Sequence, residues 1–282
     1  MLRPLHEPGW VDWTTLDKIG LLTSGLKVRM TDLLQLRRGD RLVDVGCGPG
    51  LDTVQTARVV GETGLVVGID HDERMVAKAQ ERAREAGVAA WTRHETADAT
   101  AIPYEAGFFD ASRSERLFQH VPAPAAVLRE MVRVTRPGGR IAVADADWGT
   151  LSIGTSEVDI ERRIVRLLPS FVRNAYAGRE LLRLFRSQAL TDVVVEVHPI
   201  LWLDYATFWA TSFSLPNLEE QLLASGVVSP EEFNRFRASL AAAQENGTFF
   251  ASGNIVLVTA VKQVDELCGP LTAREQSGGE HE

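Results

Sequence analysis

The stretch Arg41-Leu-Val-Asp-Val-Gly-Cys-Gly-Pro-Gly50 decides the fold that the rest of the chain is predicted to adopt. It begins with a short apolar strand, Leu42 to Val45, and breaks into three glycines at alternate positions. An amphipathic helix is predicted to follow from about Asp52 to Val60. A strand, a glycine-rich turn and a helix in this order are typical of the ligand site of a parallel α/β sheet.

The spacing of these glycines indicates which ligand the turn would bind. Dinucleotide sites use G-x-G-x-x-G, whereas Gly46, Gly48 and Gly50 form G-x-G-x-G. Pro49 stands where the dinucleotide motif brings its helix to the pyrophosphate. Asp44, at the end of the strand, suits a ligand that carries a cationic amine. The pattern therefore favours a ligand without a pyrophosphate.

Composition excludes several classes of protein. The chain has 282 residues, of which 45% are hydrophobic and 24% charged, enough for one globular domain with or without a cap. A net charge of −8 argues against binding to a nucleic-acid backbone. Cys47 and Cys268 predict neither a disulfide nor a metal cluster, which indicates a reducing compartment. No apolar run reaches the ~18 residues of a membrane span, and no signal peptide is recognisable. We expect a cytoplasmic protein that binds neither nucleic acid nor a membrane.

Acidic residues follow two further predicted strands. Leu65 to Asp70 is nearly all apolar and ends in an acid 20 residues past Gly50 (70 − 50), where a carboxylate can accept both hydroxyls of a ribose. The alternative is that Asp70 pairs with Glu73 to cap the next helix, and Asp72 is a rival cap. Asp98 follows the third predicted strand and could accept the exocyclic amine of an adenine.

Two segments further along complete a familiar order of motifs. Phe108-Phe-Asp-Ala-Ser-Arg-Ser114 is the fourth predicted strand, and the turn Arg136-Pro-Gly-Gly-Arg140 leads into a fifth, Ile141 to Ala146. Together with the glycine loop, Asp70 and Asp98, these segments resemble class I S-adenosylmethionine-dependent methyltransferases of the ubiquinone-biosynthesis type. The resemblance covers about residues 42–148.

The resemblance implies a fold and a cofactor. The fold would be α/β, a seven-stranded, mostly parallel Rossmann-like sheet with helices on both faces and a helical substrate cap. The cofactor would be S-adenosyl-L-methionine. Its amino-acid end would lie at the glycine loop and its ribose at Asp70. Lys27 and Arg29 lie upstream of the loop, and one of them could reach a ligand carboxylate, although a surface position is the alternative. The predicted cofactor-binding residues are Arg29, Asp44, Gly46, Cys47, Gly48, Gly50, Asp70, His71, Met75, Asp98, Ala99 and Ser114.

The remaining segments predict how a substrate is enclosed. We expect residues 1–38 to form an N-terminal helical lid, residues 39–262 the methyltransferase domain, and residues 263–282 a disordered tail. Insertions near 151–177 and 204–247 would lie over the carboxyl ends of the strands. Aromatic side chains in these segments could line a pocket for an apolar or aromatic substrate, or only pack the cap. The candidates are Trp10, Trp13, Trp148, Tyr176 and Trp209.

Catalysis requires little from the protein, because the methyl donor is already activated and the enzyme mainly supplies orientation and desolvation. His120 is the candidate general base, since it follows the fourth strand and histidine titrates near neutrality. A helix cap is its alternative role. Asp145 and Asp147 are further candidates for the base. They lack a third partner, so no metal site is predicted.

The expected function is methyl transfer to a small, apolar or aromatic metabolite, as in natural product biosynthesis. The acceptor atom (N, O or C) and the oligomeric state cannot be derived from the sequence. Two alternatives remain at this point. One is a protein of this fold that binds the cofactor without methyl transfer, as a cyclase or binding protein. The other is an NAD-dependent oxidoreductase, for which the G-x-G-x-x-G turn is absent.

Overall fold

A computed structural model of the protein describes residues 12–212 and 218–264. In this part of the chain, ten α-helices surround one seven-stranded sheet. The strands are β1 (Arg41–Val45), β2 (Leu65–Asp70), β3 (Thr92–Thr96), β4 (Phe109–Glu115), β5 (Thr135–Ile153), β6 (Leu190–Trp202) and β7 (Ala251–Lys262). The helices are α1 (Trp13–Leu22), α2 (Ser24–Leu34), α3 (Leu51–Val60), α4 (Glu73–Glu85), α5 (Pro124–Val134), α6 (Val158–Leu167), α7 (Ala177–Arg186), α8 (Tyr205–Ser212), α9 (Leu218–Ala224) and α10 (Pro230–Glu245).

The order of the strands across the sheet is β3-β2-β1-β4-β5-β7-β6. Adjacent strands are parallel except for β7, which runs antiparallel to both β5 and β6. The order reverses between β1 and β4, and in open α/β sheets ligands bind outside the carboxyl ends of the strands at such a point. The predicted seven-stranded, mostly parallel α/β sheet is confirmed.

Helices cover both faces of the sheet. On one face, Leu128 and Met131 of α5 and Leu181 of α7 pack against Val43 and Val67. On the other face, side chains of α2, α3 and α4 pack against alternate residues of the same strands. Strands buried on both faces carry near-continuous apolar runs, which is why β1 and β2 were recognisable in the sequence.

A third core lies at one end of the sheet and forms the cap. It joins the extended ends of β5, β6 and β7 to α6, α8, α9 and α10, and Phe208, Phe236 and Leu240 are fully buried in it. Helix α1 packs against α8 and so connects the N-terminal segment to the cap. The first eleven residues of the predicted lid, and nearly all of the predicted tail, lie outside the described residues.

Several predicted boundaries differ from the structure. Strand β5 begins six residues before and ends seven residues after the apolar stretch 141–146 that predicted it, since antiparallel pairing with β7 supplies hydrogen-bond partners along most of its length. Within the predicted insertion near 151–177, helix α6 ends at Leu167 and a 3₁₀ turn, Leu168–Phe171, follows, because Pro169 has no backbone N–H. In the described part of the chain, no helix has the length and apolar composition to cross a membrane.

Candidate active site

One cavity of about 900 Å³ lies at the carboxyl ends of the central strands. Its walls are the glycine loop, the residues that follow β2, β3 and β4, helix α1, and Trp148 within β5. Its volume falls at the upper end of the range for small-molecule sites, roughly 300–1,000 Å³. The cavity has room for a cofactor and a second small molecule.

The glycine loop forms the floor of this cavity. The backbone N–H groups of Gly46 and Cys47 donate to the carbonyl of Ile69 at 2.8 and 2.9 Å, which fixes the loop to β2. Gly48 adopts a φ of +52°, and a β-carbon there would contact only Leu16, at 3.8 Å. The space over Gly48 is therefore open, and a ligand can approach the backbone there closely.

Asp70 and Asp72 perform different tasks. The Asp70 carboxylate accepts hydrogen bonds from the N–H groups of Gly48 at 2.9 Å and Asp72 at 3.0 Å, and it faces the cavity. The N-cap of α4 is Asp72, whose side chain accepts from the N–H of Arg74 at 2.9 Å. Asp72, and not Asp70, therefore caps α4. Asp70 lies at the end of β2, where the ribose of the cofactor would lie.

The residues predicted for the adenine lie together on one wall. Asp98 and Ala99 follow β3, and His71 and Met75 lie at the start of α4, all lining the cavity. Asp98 Oδ1 accepts both the N–H and the hydroxyl of Thr100, at 2.7 and 2.8 Å, which orients the carboxylate. A hydrogen bond to Asp70 raises the pKa of His71.

Beside Asp44, at the end of β1, lies a buried set of charges that the sequence did not predict. Lys27 of α2 contacts Asp52 and Glu115 at 2.6 Å each. Arg113 of β4 lies 3.1 Å from Asp52 and 3.4 Å from Asp44. Lys27 and Arg113 are far from each other in sequence, so only the docking of α2 against β4 brings them together.

This charged set suits the amino-acid end of the predicted cofactor. In the described part of the chain, Asp52 Oδ1 is buried without a hydrogen-bond partner, and Asp52 lines the cavity. Burial raises the pKa of Asp44 to about 7, against the opposing effect of Arg113. An ammonium group placed here would satisfy the Asp52 oxygen and favour the ionised form of Asp44. The residues therefore fit S-adenosylmethionine.

Three predicted cofactor residues lie outside the cavity wall. Gly50 begins α3 with a φ of +80°, and a β-carbon there would lie 2.6 Å from that of Ala79, so its glycine serves the packing of α3 on α4. The Ser114 hydroxyl is buried and donates to the carbonyl of Val45 at 2.8 Å, while the residues after it reach the cavity. Arg29 points away and forms a bidentate ion pair with Glu196 of β6. Lys27, two positions earlier, lines the cavity instead.

Of the five aromatic substrate candidates, Trp148 lines the cavity and donates from its indole nitrogen to the Gln119 side chain at 2.7 Å. Trp13 and Tyr176 do not line it and are 41% and 44% exposed, the latter beneath the Arg179 guanidinium. Trp209 packs with Tyr205 in the cap core. Trp10 lies outside the described residues. Apolar side chains that fill a cap and those that line a pocket look alike in sequence, which is why this prediction was too broad.

His120 lines the cavity in the loop after β4, where its own backbone N–H bonds to Leu117 at 2.9 Å. Helix α5 begins at Pro124 with Ala123 as its N-cap, so His120 does not cap it. Asp145 lies beneath this loop, fully buried, and burial raises its pKa to about 7. It accepts from the N–H of Gln119 at 3.3 Å.

Asp147 does not combine with Asp145. It binds the Arg179 guanidinium through two contacts of 2.6 and 2.7 Å. Across residues 12–212 and 218–264, the structure has no group of three or more His, Cys, Asp or Glu side chains that could hold a metal ion.

Comparison with known proteins adds three findings. Residues 36–189, more than half of the chain, match a family described as a methyltransferase domain. An uncharacterised 37.1 kDa protein in transposon Tn4556 of Streptomyces fradiae is 32% identical over 82% of this chain and 65% of its own length. The 27-O-demethylrifamycin SV methyltransferase of Amycolatopsis mediterranei is 37% identical over 50% of this chain.

Among solved structures, the YcgJ protein from Bacillus subtilis has a TM-score of 0.63 at 19% identity, over 86% of this chain and 99% of its own. At that identity the similarity concerns the fold alone. The chain spans 65% and 50% of the lengths of the two sequence relatives above.

Proposed function

The chain belongs to the class I S-adenosylmethionine-dependent methyltransferases, and from this we propose that it transfers a methyl group to a small, largely apolar or aromatic metabolite. Family membership confirms S-adenosyl-L-methionine as the predicted cofactor. The acceptor, the catalytic role of His120 and the enclosure by a lid are parts of the proposal.

One observation carries it: a single cavity joins two chemically different halves. Around the glycine loop it is lined by three carboxylates, Asp44 and Asp70 at the carboxyl ends of β1 and β2 and Asp98 just after β3. Beyond β4 the wall is mostly apolar, with Leu117, Val121, Pro122, Ala123 and Trp148. The acidic half suits the amine, ribose and adenine of the cofactor, and the apolar half suits an organic acceptor.

When bound, the cofactor supplies an electrophilic methyl group on a positively charged sulfur. The chain's own task is to bind and orient both partners and to exclude water from between them. Asp70 and Asp98 would fix the nucleoside, and Asp44 and Asp52 the ammonium. The apolar wall and helix α1 would keep the reacting region dry, and preorganised carboxylates would offset the positive charge.

His120 is the proposed general base. Its position on the cavity wall after β4 supports this role, because the acceptor would lie beyond that strand end. A base is required for a hydroxyl acceptor that must lose a proton early. A neutral amine or an electron-rich carbon would not require one, so the contribution of His120 depends on the acceptor atom.

The relatives support a role in small-molecule metabolism. The Amycolatopsis protein is named for a methyl transfer to a rifamycin, and we extend that class, natural products, to the substrate of this chain. Partner binding is proposed to be limited to small molecules, in keeping with the net charge of −8.

Incubation with methyl-labelled S-adenosylmethionine and a panel of phenols, amines and carbon acids tests the proposal. We expect label in at least one small molecule, with S-adenosylhomocysteine formed in equal amount. Tight cofactor binding without transfer to any acceptor in the panel or in extracts of the source cells would favour the non-transferring alternative.

A further inference from the structure

The cavity is divided by charge. Its carboxylates cluster near the glycine loop and the strand ends, where Lys27 and Arg113 balance several of them. Arg116 also lines the cavity, and its Nε lies 3.4 Å from Glu115. These cations are therefore compensated by neighbouring acids.

Arg173 also lines the cavity but forms no such ion pair with a described residue. It lies in the short segment between the 3₁₀ turn and α7 and lines the cavity on the side of the apolar wall. Arg173 is an exposed residue of the cavity wall, and within the described residues its guanidinium has no carboxylate at ion-pair distance and no hydrogen bond to the protein. An arginine at a partly apolar cavity wall carries a full positive charge at every physiological pH.

Hydrogen bonds of the next two residues fix the main chain beside Arg173. The neighbouring Asn174 donates from its side chain to the carbonyls of Phe118 and Val121, at 2.8 and 2.7 Å, and from its backbone to Gln119 at 3.0 Å. Next along, the Ala175 carbonyl accepts from the N–H of Trp148 at 2.9 Å. Arg173 is thus attached to the loop that carries His120 and to Trp148, both on the substrate side.

From this arrangement we propose that the methyl acceptor carries an anionic oxygen group, a carboxylate or a phosphate ester, which Arg173 binds. The inference rests on the proposed function and names the chemical class of its substrate. The cofactor would place its carboxylate near the glycine loop, whereas Arg173 lies on the substrate side, so the anion that Arg173 binds would belong to the acceptor. A planar guanidinium gives bidentate hydrogen bonds to either kind of anion. The apolar wall would hold the rest of the acceptor and leave the anion at the rim.

Matched pairs of probes test this. Wild-type protein saturated with S-adenosylhomocysteine is titrated with three carboxylates and, separately, with the matching amides. The pairs are 4-hydroxybenzoate and 4-hydroxybenzamide, 2-naphthoate and 2-naphthamide, and octanoate and octanamide. Phenyl phosphate is titrated in the same way. We expect at least one carboxylate to bind tenfold or more tightly than its amide, about the effect of one hydrogen bond to a charged group. Phenyl phosphate binding tenfold more tightly than the carboxylates would identify a phosphate ester as the group, and the reverse order a carboxylate.

Variants assign the preference to one residue. Arg173→Gln should reduce the ratio of carboxylate to amide affinity to about threefold or less, and Arg173→Lys should restore part of it. Arg166→Gln, which removes an exposed arginine from the last turn of α6, makes the same change in net charge and should leave the ratio unaltered.

Two results would overturn the inference: amides that bind as well as all their acids, and a preference that survives Arg173→Gln. Failure of wild-type protein to bind S-adenosylhomocysteine at all would instead overturn the proposed function. The two failures are therefore distinguishable in the same titrations.

Discussion

Asp70 and Asp72 are two carboxylates two positions apart whose surroundings give them different tasks. Asp70 faces the cavity, whereas Asp72 caps α4 and binds Arg74. Asp70→Ala should weaken binding of S-adenosylhomocysteine by ~1.5–3 kcal/mol, the range for hydrogen bonds to a charged group. Asp72→Ala should lower the free energy of unfolding by ~1 kcal/mol with a much smaller effect on affinity. Calorimetry and urea unfolding on both variants check this, and equal affinity losses would contradict it.

The raised pKa of Asp44 predicts how the affinity for the cofactor depends on pH. Because its pKa in the folded protein is raised to about 7, it is largely protonated below that pH and must lose a proton when an ammonium group binds beside it. Affinity for S-adenosylhomocysteine should therefore fall as the pH is lowered from 8 to 6, by at most about tenfold per pH unit below 7. The matched variant Asp44→Asn should lose this part of the pH dependence. Parallel pH profiles for the two proteins would argue that His71 or another group titrates instead.

The effect of the His120→Ala substitution on kcat should identify the type of acceptor atom. If it removes a proton from a hydroxyl, His120→Ala should lower kcat by roughly 10²–10⁴-fold, with cofactor affinity nearly unchanged. For an amine or carbon acceptor the loss should be far smaller. Single-turnover kinetics with labelled cofactor separate these cases, and a variant that fails to bind the cofactor would show that His120 has a different role.

At the scale of elements, α1 connects the cofactor half to the cap. It lines the cavity with Leu16 and Ile19, packs on α8, and is tied to α4 by a bidentate ion pair between Asp17 and Arg82 at 2.6 and 2.8 Å. This arrangement suits a lid that opens when ligands enter and leave.

Breaking that ion pair should speed the release of ligand. Asp17→Ala is expected to raise the dissociation rate of S-adenosylhomocysteine about two- to fivefold, the effect of a partly exposed ion pair, with the stability of the sheet little changed. The control is Arg29→Ala, which breaks a similar ion pair between α2 and β6 outside the cavity. Stopped-flow kinetics measure the dissociation rate of S-adenosylhomocysteine from both variants. Equal dissociation rates for the two variants would argue against a lid.

The elements also show which features the sequence could predict. Asp44, Asp70 and Asp98 were found because each lies at or just after the end of a predicted strand, and parallel strands bring their carboxyl ends together. The packing role of Gly50 was not predicted, because it depends on how α3 meets α4, and the sequence could not decide between Lys27 and Arg29, because that depends on which of them faces the end of β4. Local sequence carries no record of those contacts.

At the scale of the molecule, the sheet could be predicted from the sequence, whereas the arrangement of the cap could not. The two sheet cores follow from periodic apolar residues, whereas the cap core joins segments from 151 to 251 whose pairing is set by tertiary contacts. That is why Tyr176 and Trp209 were predicted to line the pocket and Arg173 was not noticed. Composition could suggest an apolar enclosure but not which side chains face inward.

The central claim is that this cavity binds S-adenosylmethionine, and calorimetry tests it most directly. The account predicts that S-adenosylmethionine and S-adenosylhomocysteine each bind one site per chain with micromolar dissociation constants, roughly −8 kcal/mol. NAD should bind at least a hundredfold more weakly, because the G-x-G-x-G turn with Pro49 offers no pyrophosphate site. Tight binding of NAD, with no heat from either sulfur compound, would contradict the account.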